Sequence, residues 1–290
     1  MKNQTKIFKL LLLLIVCTSF IFCGCLKRDD MEGINIITTV YPLEYVTNKL
    51  YGNNSVINSI YPDGIDTTEY EISSKEYKDH SKEDLFVYNG LSTDKDIALK
   101  LVNKNKNILI MDANFGMEIQ YGIEELWLNP SNLLMMSQNI KNNLIELIDS
   151  KYIKDEIEKS YGELKVELSE LDAEIKLLNE RAKNKILVVA SPALQYLNKY
   201  GFEVILINDE PQNEKNIIRL NTLIANKTIN YVYILENDKE SKILKQLKNN
   251  KKVQILTIDK IDNINDEERD NKENYISLMK KNIELLKKGV

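Results

Sequence analysis

The sequence predicts an α/β protein of two lobes, each built on a mostly parallel four-stranded sheet, joined by one long helix. Three observations predict it. Short apolar runs alternate with helical stretches in two separate blocks of the chain. A single amphipathic stretch, residues 152–183, separates the blocks. Beyond the first 24 of the 290 residues, enough chain remains for two domains of ~100–150 residues each. Strands that alternate with helices imply parallel sheets covered on both faces.

In chain order, residues 1–24 have a basic start (Lys2, Lys6, Lys9), an apolar run ending in Phe22-Cys23, and then Gly24 before Cys25. That pattern is a secretory signal, too short and too closely followed by charge to form a stable spanning helix. Gly24-Cys25 resembles a lipobox, with Cys25 as the lipidated residue and the polar segment 25–33 as a tether. An ordinary signal cleaved nearby and an uncleaved anchor are the other readings. A lipid-modified cysteine with more than one acyl chain suits stable anchoring, whereas a single chain holds marginally.

The first lobe spans residues 34–150. Strands are expected at 34–40, 55–60, 84–88 and 108–112, with helices near 43–51, 73–82 and 95–103. In the 151–183 segment Ile153, Ile157, Tyr161, Leu164, Leu168, Leu171, Ile175 and Leu178 recur three or four residues apart, forming one apolar stripe on a long helix. The stripe also fits a heptad, so a coiled coil competes. A helix packed along both lobes is the better reading, because the segment lies between two βα blocks and runs directly into the apolar strand KILVVA. The second lobe, 184–290, repeats the scheme with strands at 185–190, 203–208, 231–235 and 253–258. Its helices are expected near 193–200, 213–226, 239–248 and 273–287. The polar, acidic run 261–274 reads as a mobile loop.

Composition excludes several chemistries. All three cysteines (Cys17, Cys23, Cys25) lie at the head, leaving the folded part without a disulfide framework or thiolate site. Loss of Lys2, Lys6 and Lys9 with the head takes the net charge from −5 to −8. An acidic chain without a basic patch argues against nucleic acid. The one histidine, His80, sits on a charged helix and reads as a solvated surface residue rather than a ligand or base. No nucleophile-elbow context surrounds Ser191, and no phosphate-cradling glycine loop occurs. No catalytic residue is nominated and an enzyme is not expected. Tyr41, Tyr61, Tyr70, Tyr88 and Tyr196 gather near predicted strand ends, where α/β lobes bind ligands, although packing is their commoner role.

Residues 60–90, IYPDGIDTTEYEISSKEYKDHSKEDLFVYNG, run strand, turn, acidic-aromatic stretch, charged helix, strand. This segment resembles the first metal-site segment of the zinc and manganese solute-binding lipoproteins of ABC importers. INIITTVYPLEYVTNKLYG, LWLNPSNLLMMSQNI, SPALQYLNKYGFEVI, YVYILENDKESKIL and NYISLMKKNIELLKKGV resemble further pieces of that family, in the right order. The resemblance implies two α/β lobes with cargo captured between them. It also implies an extracytoplasmic, membrane-anchored protein working with a permease and an ATPase; a monomer is expected.

It further implies a cleft with one metal ligand from each of four segments, usually three histidines and a carboxylate, a set suited to zinc or manganese. Here the four positions are Thr68, Glu125, Ser191 and Asp259. Only Asp259 keeps the family's chemistry. Two consequences stay open: oxygen ligation of a harder divalent cation, manganese ahead of zinc, or loss of metal binding with retention of the fold for another solute or a protein surface.

Overall fold

The computed structural model describes residues 29–118, 125–238 and 240–290. The signal-like head, Cys25 and residues 26–28 of the tether therefore lie outside the described residues.

The first lobe opens with β1 (Ile34–Thr38), α1 (Tyr41–Tyr51) and β2 (Ser55–Ser59). It continues with α2 (Ser74–His80), β3 (Leu85–Tyr88), α3 (Asp94–Lys104) and β4 (Leu109–Asp112). A 3-10 turn, Leu126–Leu128, leads into α4 (Pro130–Leu147), and α5 (Lys151–Arg181) follows as the long helix. The second lobe contains β5 (Ile186–Val189), a 3-10 helix (Pro192–Tyr200), β6 (Glu203–Leu206) and α6 (Glu214–Ala225). After these come β7 (Tyr231–Leu235), α7 (Lys242–Lys248), β8 (Gln254–Ile258), α8 (Asp266–Asp270) and α9 (Tyr275–Leu286).

The strands pair in the orders β2-β1-β3-β4 and β6-β5-β7-β8, every pairing parallel. Both sheets thus reverse direction of winding beside their first strand, and in such sheets the crevice outside the strands' C-terminal ends accepts ligands. Strand β3 shows why the sheets form: Leu85, Phe86 and Val87 are fully buried, as a strand covered on both faces requires.

The long helix runs 31 residues, about 46 Å at 1.5 Å per residue. Ser150 caps its start by accepting from the Ile153 N–H. Ile153, Ile157, Leu164, Leu168, Leu171, Ile175 and Leu178 are buried along one face, while Tyr161 packs against the core from a half-buried position. That face belongs to a hydrophobic core continuous from Ile36 and Val87 of the first lobe to Val189 and Ile258 of the second. A helix between two lobes can bury its stripe in this way without a partner coil. Smaller clusters fill the outer side of each sheet.

Three elements differ from the sequence reading. Residues 130–147 form a full helix that periodicity alone did not pick out, begun by Asn129, whose side chain accepts from the Ser131 N–H. Residues 192–200 wind as a 3-10 rather than an α-helix and end at Gly201, whose φ of 92° suits glycine. The 261–274 run is no plain loop: Asn265 and Glu268 form a capping box around the short helix α8.

Candidate ligand cleft between the lobes

A cavity of about 600 Å³ opens where the two lobes meet. Its first-lobe wall comes from the β3-α3 turn (Asn89, Thr93, Asp94) and the loop after β2 (Tyr61, Thr67, Thr68, Tyr70). Its floor includes Glu125 and Trp127, and the second lobe supplies Lys260 and Asp262 from the loop after β8. Tyr61 and Tyr70 meet edge to face at 6.0 Å, so two of the strand-end tyrosines do line the cleft, while Tyr41 is buried in the core. His80, half-buried at the end of α2, lies away from this lining.

The loop after β8 is the most constrained part of the site. Ile261, wholly buried, sits at φ 56°, a left-handed conformation costly for a β-branched residue. The kink sends Lys260 and Asp262 into the cleft on either side of it. Neighbouring groups pin the backbone. The Trp127 indole N–H donates to the Lys260 carbonyl at 2.9 Å, the Tyr41 N–H donates to the Asp262 carbonyl at 2.9 Å, and the Ile261 N–H donates to the Asp259 carboxylate at 2.7 Å.

The Lys260 ammonium is the centre of charge. The residue is 8% exposed, and its ammonium lies 3.3 Å from Glu125 Oε1 and 3.4 Å from Asp262 Oδ2. Burial pulls its titration down, but Asp262 and Glu125 together outweigh that and hold it above the ordinary lysine range, so it is charged at neutral pH. Asp262 also accepts a hydrogen bond from the Thr67 hydroxyl.

The four positions singled out in the sequence are not gathered at one point. Thr68 and Glu125 share the main cavity, but Thr68 is exposed, its N–H and hydroxyl both donating to Asp66 (2.9 and 2.6 Å). Ser191 is buried at the end of β5, where its hydroxyl accepts from the Ala193 N–H at 3.4 Å. It reaches the cleft indirectly, through Asp238. Asp238 is exposed at the surface, yet the protein packed around it still pushes its carboxyl upward, the Ser191 hydroxyl opposes this, Glu125 adds to it and Lys260 works against it.

Asp259 faces a second cavity of about 310 Å³ with Asp66, Glu236, Asp262 and Glu268. Burial pushes its carboxyl up to about 6, the Ile261 N–H opposes the rise, and Glu236, Glu268 and Asp262 add to it. Among the described residues no three acidic or histidine side chains stand close enough to hold a metal ion. Sequence reasoning missed Lys260, Asp262 and Asp238. The signal available was the D-K-I-D run directly after an apolar strand, of which only the first acid drew notice.

Two parallel α/β lobes closed on a rigid helix, with a polar cleft at the strands' C-terminal ends, define a two-lobe binding protein. The chain belongs to the family described as zinc-uptake complex component A, periplasmic (ZnuA), whose sequence model matches residues 36–289. It is 27% identical to the manganese ABC transporter substrate-binding lipoprotein PsaA of Streptococcus pneumoniae, over 92% of both chains. It is 26% identical to the zinc-binding lipoprotein AdcA of S. pneumoniae strain R6, over 96% of this chain and 60% of the relative, and so spans only part of that longer protein. The structure of the Zn(II)-bound ZnuA-like domain of S. pneumoniae AdcA superposes with a TM-score of 0.71 at 25% identity, covering 88% of this chain and 98% of that domain.

Proposed function

We propose that the protein is the extracytoplasmic, Cys25-anchored solute-binding component of an ABC importer of the metal-ion type. It would capture cargo in the cleft between the lobes and present it to a permease driven by an ATPase, with no covalent chemistry on the cargo. The observation that carries this reading is the acidic cleft built from both lobes at the C-terminal ends of their strands, in a chain of this family. Among the described residues no helix is long and apolar enough to cross a membrane, and PsaA and AdcA of S. pneumoniae are named as lipoproteins.

The donors in and around the cleft are oxygens: Glu125, Asp262 and Asp238 carboxylates with Thr67 and Thr68 hydroxyls. Oxygen donors suit manganese or another hard divalent ion better than zinc. A second reading is a fold-retaining lipoprotein that no longer binds metal and serves as a protein-surface module. The Lys260 ammonium between Glu125 and Asp262 favours it.

Thermal melting of the full chain in detergent, with manganese, zinc, calcium, magnesium or no ion, separates the two. An ion present at 100 times its dissociation constant adds about 2.7 kcal/mol. Stabilisation by manganese that is lost in Glu125→Ala supports capture. Unchanged melting with every ion discards it.

A further inference from the structure

We propose that Lys260 is a tethered competitor for the cleft: its ammonium takes the place a divalent cation would occupy between the two lobes' carboxylates, and cargo must displace it to bind. The inference rests on the capture reading and adds the device that sets its threshold.

The geometry carries it. One ammonium bridges an acid from each lobe, Glu125 at 3.3 Å and Asp262 at 3.4 Å, and Asp238 lies close enough to feel both Glu125 and Lys260. In this arrangement, among the described residues, no three acids stand close enough to hold an ion. Removal of that one positive charge would leave the Glu125 and Asp262 carboxylates facing each other across a mostly buried gap, with the exposed Asp238 nearby. Uncompensated charge is costly there, and a divalent cation is what such a gap attracts.

The placement of Lys260 is also enforced. It sits beside the left-handed Ile261, and its own carbonyl is held by the Trp127 indole. Strain of this kind persists where the surroundings over-determine it, and it gathers at functional positions. A lysine suits displacement better than an arginine would, because its charge is a compact head on a flexible stem and not a planar fork that grips a carboxylate at two points.

The single tryptophan, Trp127, is 3% exposed and lines the cavity, so its emission reports on the site. Manganese, which is paramagnetic, would be titrated against the full chain in detergent while quenching of that emission is followed. The variants are Lys260→Met, Lys260→Gln and Lys260→Arg. Lys159→Met, which removes an equal charge from an exposed position of α5, serves as the control.

Lys260→Met is expected to bind manganese at least tenfold more tightly than the parent, Lys260→Arg no more tightly, and Lys159→Met within twofold of it. Lys260→Gln answers the same question should the methionine variant fail to fold. Parent and Lys260→Met binding with the same midpoint, or the variant binding more weakly, overturns the competitor role and leaves capture standing. A silent parent with a responsive Lys260→Met shows an ammonium that bars manganese and does not yield to it, which overturns displacement by cargo and removes manganese as the native cargo. Silence in both overturns the two together.

Discussion

Asp259, in the second cavity, illustrates how one side chain ties the fold to pH. Its folded value, about 6, lies above the ordinary aspartate value near 3.8. Between those two values the folded state holds the extra proton, so this residue's contribution to stability falls as pH rises from about 4 to 6. Asp259→Asn keeps an acceptor for the Ile261 N–H and removes the titration. Urea unfolding at pH 4 and pH 7 should show the variant gaining on the order of 1–2 kcal/mol on the parent between the two pH values; parallel profiles would refute the assignment.

Trp127 offers a second test at this scale. Trp127→Phe leaves the buried Lys260 carbonyl without its donor and opens space beside it, so a loss of about 2 kcal/mol in the same unfolding experiment is expected. The identity of neither residue's partner could be read from the chain. Trp127 and Lys260 lie 133 positions apart, and the family resemblance marks ligand positions without saying what fills a changed one. Glu125 stood out as a substitute acid, but its pairing with Lys260 depends on a backbone kink at Ile261 that no propensity predicts for an isoleucine.

The secondary elements were more legible than the site because their signals are local. The α5 stripe is readable as spacing, and the structure buries the positions that the spacing selects, with Tyr161 half-buried. Leu168→Ala should therefore cost about 2–5 kcal/mol. Val166→Ala, two residues away and 58% exposed, should stay within about 0.5 kcal/mol. Thermal or urea melts of the two variants check both values, and equal losses would mean the helix face is misassigned.

Helix α8 was less readable because its stability comes from ends rather than from a stripe. None of its five residues is buried, so hydrophobic periodicity had nothing to show. The capping box of Asn265 and Glu268 was the available clue. Asn265→Ala should loosen that turn at a cost of about 1 kcal/mol, seen as faster amide exchange across residues 265–270.

Across the whole molecule the lobes are held together by more than the shared core. Arg269 of α8 donates two hydrogen bonds to Glu44 of α1, at 2.8 and 3.0 Å, and also pairs with Asp63. Glu44 is only 7% exposed, so removal of its partner strands a nearly buried carboxylate. Arg269→Ala is expected to destabilise the protein by about 1–3 kcal/mol, discounted because the arginine is partly solvated. Arg269→Lys should rescue little, since a single ammonium cannot reproduce the fork. Hydrogen exchange should rise at the Gly64–Ile264 backbone contact that crosses the same seam, and unchanged exchange there would disconnect Arg269 from lobe closure.

The stitching of the lobes also has a consequence for the order of folding. The contacts that join the lobes link residues far apart in the sequence: 133 positions between Trp127 and Lys260, 206 between Asp63 and Arg269, and 225 between Glu44 and Arg269. Local βα units and the long helix can form early, whereas contacts of such separation close late because the intervening chain must first be ordered. Glu125 is thus synthesised and placed well before its counter-ion arrives. A partly folded chain would present an acidic half-site without its lysine, open to whichever cation its surroundings contain, until the final segment docks and brings Lys260 in.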